Sequence, residues 1–103
     1  MSRDPLKLRV FILADDLVLS VYRATKYFPT EERYGLQSQL RRAAVSTATN
    51  IVEGCARRTT REYLQFLNIA TGSSAEARYL IDVAFRLNLM GLQKLLVSLE
   101  GLP

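Results

Sequence analysis

The chain has no histidine, no tryptophan and a single cysteine among its 103 residues. Because histidine is absent and cysteine occurs once, only carboxylates remain as metal ligands, which excludes zinc fingers and histidine–carboxylate centres. The same shortage excludes the Ser–His and Cys–His pairs of common hydrolases and any disulfide framework within the chain. We therefore expect no metal, no cofactor and no catalysis by an activated nucleophile.

Long apolar segments are missing as well. The apolar run from Val10 to Ala14 is stopped by Asp15 and Asp16. It is too short for a signal-peptide core or for a membrane span. Hydrophobic residues make up 49% and charged residues 23% of the chain, which is ordinary for a soluble globular domain, and the length fits one domain. We expect a single cytoplasmic domain over residues 1–103 that does not enter a membrane.

Basic side chains are concentrated in one part of the sequence. Lys and Arg number 14 and Asp and Glu number 10, so the net charge is +4. Residues 41–61 contain five arginines and one acid, Glu53, and therefore carry 5 − 1 = +4, while the other residues sum to zero. Guanidinium groups pair with phosphates and with carboxylates. The segment predicts either a surface for an anionic partner or solvated, ion-paired arginines. These arginines are Arg41, Arg42, Arg57, Arg58 and Arg61.

Apolar residues recur at spacings of three and four, which is typical of helices packed in a bundle, and no strand pattern of period two occurs. This spacing predicts helices over residues 5–27, 30–54 and 60–87. Four leucines over residues 92–99 predict a short fourth helix. The fold class expected is all-α, an antiparallel up-down four-helix bundle with a short fourth helix.

Helix ends and small residues refine this prediction. Thr30 is expected to cap helix 2 and Gly54 to end it, while Thr59 is expected to cap helix 3. Residues 43–49 of helix 2 include nothing larger than valine, which predicts close approach of neighbouring helices or of another subunit. Gly72 within helix 3 predicts a second helix crossing nearby, since glycine there otherwise destabilises the helix by about 1 kcal/mol.

Two segments of the chain carry a resemblance to a known family. Residues 28–54 read FPxxExYGLxxQLRRAAVSxxxNIxEG, and residues 63–76 read YLxFLxIAxGSxxE. Together they resemble the four-helix bundle family that includes proteins encoded in intervening sequences of large-subunit ribosomal RNA genes. The sequence departs from the family pattern at Val52 and Cys55 and in its shorter last helix.

The resemblance implies a homo-oligomer, most commonly a pentameric ring, in a family without an assigned biochemical activity. A related group comprises the accessory proteins of diversity-generating retroelements. Those proteins are basic pentamers that associate with nucleic acid and with a reverse transcriptase. The partners implied for this chain are therefore other copies of itself, RNA or DNA, and a nucleic-acid enzyme such as a reverse transcriptase.

Four polar side chains at family positions are expected to form a partly buried ion-pair and hydrogen-bond network that sets the register of the helices. The alternative is that two of them, Glu53 and Glu76, act as paired carboxylates in acid–base catalysis. No histidine and no glycine-rich phosphate loop supports that alternative. We therefore expect no catalytic residues. The network positions are Arg42, Asn50, Glu53 and Glu76.

The arginines give the functional hypothesis. Arg57, Arg58 and Arg61 are expected to form an electropositive corner between helices 2 and 3. Arg41 precedes Arg57 by 16 residues, or about 24 Å of helix, so Arg41 and Arg42 form a second site. A ring would repeat both sites and raise the avidity for nucleic acid. Tyr34 and Tyr63, the candidates for stacking on bases, are expected to be packing residues.

The first hypothesis is a non-catalytic, oligomeric accessory protein that binds nucleic acid through these arginines. The alternative hypothesis is a protein-interaction scaffold that uses the same arginines for ion pairs between subunits.

Overall fold

The structure, a computed structural model, describes residues 3–89, and all regular elements within that range are helical. The three α-helices are α1 (Arg9–Thr25), α2 (Leu36–Cys55) and α3 (Thr60–Arg86). The 3-10 turns Pro5–Lys7 and Thr30–Glu32 precede α1 and α2. The prediction of an all-α fold is confirmed. The predicted fourth helix lies outside the described residues.

Helix α2 is the centre of the described fold. It packs against both α1 and α3, whereas no Cα atom of α1 lies within 8 Å of a Cα atom of α3. Alanines supply eight of the sixteen buried apolar residues between residues 3 and 89. Since an alanine side chain is a single methyl group, the helices pack at short distances. Larger anchors separate these alanines, and those exposed by 1% or less are Leu17, Val21, Leu40, Ile51 and Ile81.

The start of the first helix differs from the prediction of one helix over residues 5–27. Asp4 caps a separate 3-10 turn, in which its carboxylate accepts a hydrogen bond from the Leu6 amide at 3.0 Å. Leu8 is extended, with φ −90° and ψ 124°, and α1 begins only after it. Because Leu8 is extended, the 3-10 turn Pro5–Lys7 lies beside α2. The N-terminal segment thereby reaches the C-terminal end of α2, where Arg3 contacts Arg57.

Both predicted ends of helix 2 were wrong. Thr30 begins the short 3-10 turn, and Gly35 is the residue that precedes α2. Gly54 lies inside α2, which continues through Cys55. A Cβ atom at Gly54 would lie 3.0 Å from Cβ of Phe66, so the glycine permits the close approach of α3 and does not terminate the helix.

The ends of α3 agree with the prediction. The Thr59 hydroxyl accepts a hydrogen bond from the Glu62 amide at 3.1 Å and donates one to the Glu62 carboxylate at 3.0 Å. At the other end Asn88 has φ 59°, and the Leu89 amide donates to the Ala84 carbonyl oxygen at 3.1 Å. This Schellman-type end stops α3 at Arg86.

Candidate nucleic-acid interface

Arg57 and Arg58 lie in the turn between α2 and α3, Arg61 lies in the first turn of α3, and the structure adds a fourth arginine, Arg3. The Arg3 guanidinium donates to the Arg57 carbonyl oxygen at 3.2 Å and to the Thr60 hydroxyl at 3.4 Å. It also lies 4.3 Å from the centre of the Tyr63 ring. The N-terminal segment therefore joins the predicted corner, which we call the arginine corner and define as Arg3, Arg57, Arg58 and Arg61.

Two of these arginines are held in place by the protein. Besides the contacts of Arg3, Arg57 donates through Nε to the Glu53 carbonyl oxygen at 3.1 Å and lies 5.0 Å from the centre of the Phe66 ring. Stacking on a ring leaves the edge of a guanidinium group open to hydrogen-bond acceptors. Arg3 and Arg57 are thus the two arginines of the corner whose guanidinium groups are held in a fixed position.

The other two arginines point away from the protein. Arg58 and Arg61 are exposed, and within residues 3–89 neither side chain has a hydrogen bond or an ion pair. Arg61 lies in the first turn of α3, where free backbone N–H groups favour an anion. These two guanidinium groups are therefore available to a phosphate without first breaking a contact.

Carboxylates near the corner limit its net charge. Four arginines stand close in sequence or space to three acids, so the local balance is 4 − 3 = +1. Asp4 accepts from the Leu6 amide and Glu62 accepts from the Thr59 hydroxyl, and neither forms an ion pair with a corner arginine. The preference of the corner for anions comes from the availability of its guanidinium groups and not from a large net charge. The third acid is Glu53, which is exposed.

Arg41 has a different role from the corner arginines. Its Nε donates to the hydroxyl of the fully buried Thr25 at 2.8 Å, and its Nη2 donates to the Tyr22 carbonyl oxygen at 3.4 Å. The guanidinium carbon lies 4.4 Å from the centre of the Tyr22 ring. Arg41 joins α2 to α1, and we place it among the packing residues.

The second arginine of this pair lines a shallow cleft between α2 and α3. Arg42 shares the cleft with Ser46 and Glu76, but no ion pair joins Arg42 to Glu76. The Arg42 guanidinium instead donates to the Ser38 hydroxyl one turn earlier at 3.3 Å. In the single chain, Arg42 and Glu76 are therefore neighbours without being partners.

The network between α2 and α3 consists of hydroxyl and amide groups. The Ser46 and Ser73 hydroxyl oxygens lie 2.8 Å apart, and the Asn50 amide donates to the Ser46 carbonyl oxygen at 2.8 Å and to its hydroxyl at 3.1 Å. Asn50 is thus part of a network, while Arg42, Glu53 and Glu76 lie outside it. Glu53 follows Ser46 by seven residues, or about 10 Å of helix. The two candidate carboxylates, Glu53 and Glu76, are not brought together.

The last residue of α2, two positions before Arg57, is a buried cysteine. Cys55 is 8% exposed, and burial raises the pKa of its thiol above the ordinary value. The nearby charge of Arg3 lowers that pKa, and the charge of Asp4 raises it, both to a smaller extent than burial. A thiol in these surroundings stays protonated near neutral pH and is a poor nucleophile.

Sequence reasoning missed Arg3, Thr25 and Ser73. Arg3 lies 54 residues from Arg57 in the chain, so only the packing of the first turn on α2 reveals their contact. Ser73 lies in the three-and-four spacing that predicts helix 3, but its contact with Ser46 depends on how α2 pairs with α3.

Within residues 3–89, no group of three or more potential metal ligands comes together. No helix in the same range is both long enough and apolar enough to cross a bilayer.

The fold and the corner together define a class of protein: a small all-α protein whose helix α2 packs against α1 and α3, with arginines clustered where α2 passes into α3. Over residues 6–100 the chain matches the family described as 23S rRNA-intervening sequence protein. The chain belongs to that family, as the motifs of residues 28–54 and 63–76 predicted. No curated protein matches it.

Proposed function

We propose that the protein is a homo-oligomeric, non-catalytic accessory protein that binds nucleic acid through the arginine corner. The observation that carries the proposal is the exposure of Arg58 and Arg61, without protein partners within residues 3–89, beside the anchored guanidinium groups of Arg3 and Arg57. Such groups bind the phosphate backbone independently of sequence, and the binding weakens steeply with salt.

The proposal of an oligomer, a pentamer by family resemblance, is supported by the outward face of α3. Leu64 is 51% exposed and Tyr79 is 61% exposed, and both lie on this face. Between them, a Cβ atom at Gly72 would meet no atom of residues 3–89 within 4 Å, so the helix crossing predicted at Gly72 is not made within that range. The open glycine between exposed apolar side chains is suited to a helix of a neighbouring subunit. Five subunits of 11.7 kDa would have a mass of about 58 kDa.

The test uses exposed arginines, so that unfolding does not confuse the result. Nucleic-acid binding by Arg58→Glu/Arg61→Glu is measured by fluorescence anisotropy of labelled RNA and duplex DNA over a range of salt concentrations. We expect the affinity at low salt to fall by at least tenfold and the salt slope to fall by about 2. The matched control is Arg86→Glu, at the other end of α3, compared with Arg61→Glu alone. Arg86 is exposed and is paired with Asp82.

Light scattering in the same buffer gives the mass of the assembly. Unchanged binding by the double variant would show that the corner is not the nucleic-acid site. An oligomer that binds no nucleic acid at low salt would overturn the proposal in favour of the protein-interaction scaffold. Loss of the oligomer in the double variant would place the corner at a contact between subunits.

A further inference from the structure

The turn between α1 and α2 exposes two aromatic rings. Tyr27 is 65% exposed and Tyr34 is 88% exposed, although tyrosine is generally intermediate in burial. The sequence predicted that Tyr34 packs, and the structure overturns that prediction. The ten residues between α1 and α2 therefore present one tyrosine that is almost fully exposed and one that is about two-thirds exposed.

The turn that presents the rings is well tied to the bundle. Phe28, between the two tyrosines, is only 6% exposed and anchors the turn in the core. The Tyr27 amide donates to the Ala24 carbonyl oxygen at 3.2 Å. The Glu32 carboxylate accepts from the Leu36 amide at 3.2 Å, at the start of α2. The backbone that carries the two exposed tyrosines is therefore anchored to α1, α2 and the core.

Three basic residues lie within four positions of the exposed tyrosines in the sequence. Arg23, Lys26 and Arg33 are exposed, and none of them has an ion pair with another described residue. Of the two acids in the turn, Glu32 accepts a hydrogen bond from the backbone of α2, whereas the Glu31 carboxylate has no hydrogen bond or ion pair within residues 3–89. Aromatic rings interleaved with free cations match a ligand that has both flat bases and phosphates.

We propose that this turn, defined by Tyr27 and Tyr34 with Arg23, Lys26 and Arg33, is a second surface that binds single-stranded nucleic acid by stacking bases on its tyrosines. Bases of a duplex are stacked on one another and do not reach a protein ring, so the surface selects single strands. The inference rests on the proposed function for its ligand class and adds a preference that the arginine corner does not provide.

The two surfaces can be tested separately because they lie at opposite ends of α2. This helix has 20 residues, so it is about 30 Å long. Changes at the tyrosines leave the arginine corner intact, and changes at Arg58 and Arg61 leave the tyrosine turn intact.

The experiment compares a labelled oligothymidylate of about 12 nucleotides with a duplex of equal length. Tyr27→Ala and Tyr34→Ala are each expected to weaken binding of the single strand by about 5- to 160-fold, with duplex binding unchanged. Tyr27→Phe and Tyr34→Phe keep the ring and should bind as the unchanged protein does. The matched control is Phe85→Ala, because Phe85 is an aromatic residue 47% exposed on α3 and is not among the residues proposed for the contact between subunits.

A spectroscopic signal reports stacking directly. The chain contains no tryptophan, so Tyr34→Trp introduces a single indole. We expect the oligothymidylate to quench its emission and the duplex to leave it unchanged.

The inference fails if the alanine variants bind the single strand normally, or if they weaken single-strand and duplex binding equally. It also fails if they change the mass of the assembly by light scattering, because the tyrosines would then belong to a contact between subunits. If only the tyrosine variants lose binding and Arg58→Glu/Arg61→Glu does not, the corner fails as a site and this surface stands. If only Arg58→Glu/Arg61→Glu loses binding, the arginine corner stands as a site and the tyrosine surface fails.

Discussion

Gly54→Ala should destabilise the protein, because α3 passes too close to α2 for a methyl group. A Cβ atom at this position would lie 3.0 Å from Cβ of Phe66 and 3.3 Å from both Cδ1 and the carbonyl oxygen of Tyr63. The Phe66 Cβ and the Tyr63 carbonyl oxygen are fixed by the α3 backbone. A side-chain rotation cannot relieve these contacts, so the two helices must separate locally.

The size of the effect follows from two opposing contributions. Alanine favours a helix over glycine by about 1 kcal/mol, and overpacking a tight contact costs about 1–3 kcal/mol. The net loss for Gly54→Ala is therefore about 0–2 kcal/mol. Gly72→Ala has the same propensity gain, and its new methyl group would meet no atom of residues 3–89 within 4 Å, so in the single chain it should stabilise the helix by about 1 kcal/mol. A helix of a neighbouring subunit packed at Gly72 would reduce this gain and make the substitution lower the mass of the assembly. The difference between the two variants isolates the overpacking.

Thermal unfolding followed by circular dichroism measures this difference. Since 1 kcal/mol shifts Tm by about 4–8 °C in a domain of this size, Gly54→Ala should melt at least 4 °C below Gly72→Ala. Equal melting temperatures, or a more stable Gly54→Ala, would refute the reasoning about the helix contact. A lower assembly mass for Gly72→Ala would instead place that glycine at the contact between subunits.

Three other predictions follow from the contacts between helices. Arg41→Ala should lower the free energy of unfolding in urea denaturation by about 1–3 kcal/mol, because it removes a hydrogen bond to a buried hydroxyl and a ring contact. Arg42 is exposed, so Arg42→Ala should cost less than about 0.5 kcal/mol in the same measurement. Ser46→Ala and Ser73→Ala should each cost about 1 kcal/mol and the double variant clearly less than their sum, and an additive result would show that the two hydroxyls are not coupled. Cys55 should react slowly with a thiol reagent at neutral pH, because burial raises its pKa, and rapid reaction of the folded protein would contradict this. Because the thiol pKa is raised in the folded state, the free energy of unfolding does not depend on this group below the pKa of the unfolded thiol. It falls as the pH rises from that value to the pKa of the folded thiol.

The helical interiors were predictable, but several helix ends were not. The three-and-four spacing of apolar residues reflects a local period, so the helical state of residues 36–54 and 60–86 could be predicted from the sequence. Thr59 was a reliable cap because capping involves only neighbouring residues. Gly54 was misread because glycine suits both a helix end and a close helix contact, and only the position of Phe66 distinguishes them.

The candidate site was also predictable only in part. Arg57, Arg58 and Arg61 are close together in the chain, so their clustering at one turn was predictable from the sequence. Their different roles were not, because the anchoring of Arg57 depends on a ring supplied by α3. The exposure of Tyr34 was also hidden, since the composition of a turn does not reveal which of its rings enters the core.

By itself, the sequence determined the helical class, the family and the position of the basic segment, because each depends on residue type and local spacing. Only the tertiary structure decided that Arg3 joins the corner, that Arg41 binds Thr25 and that the serines of α2 and α3 face each other. These contacts join residues 16 to 54 positions apart. They form only when the helices pair in one register, and that register depends on how the alanine-rich surfaces of all three helices fit together.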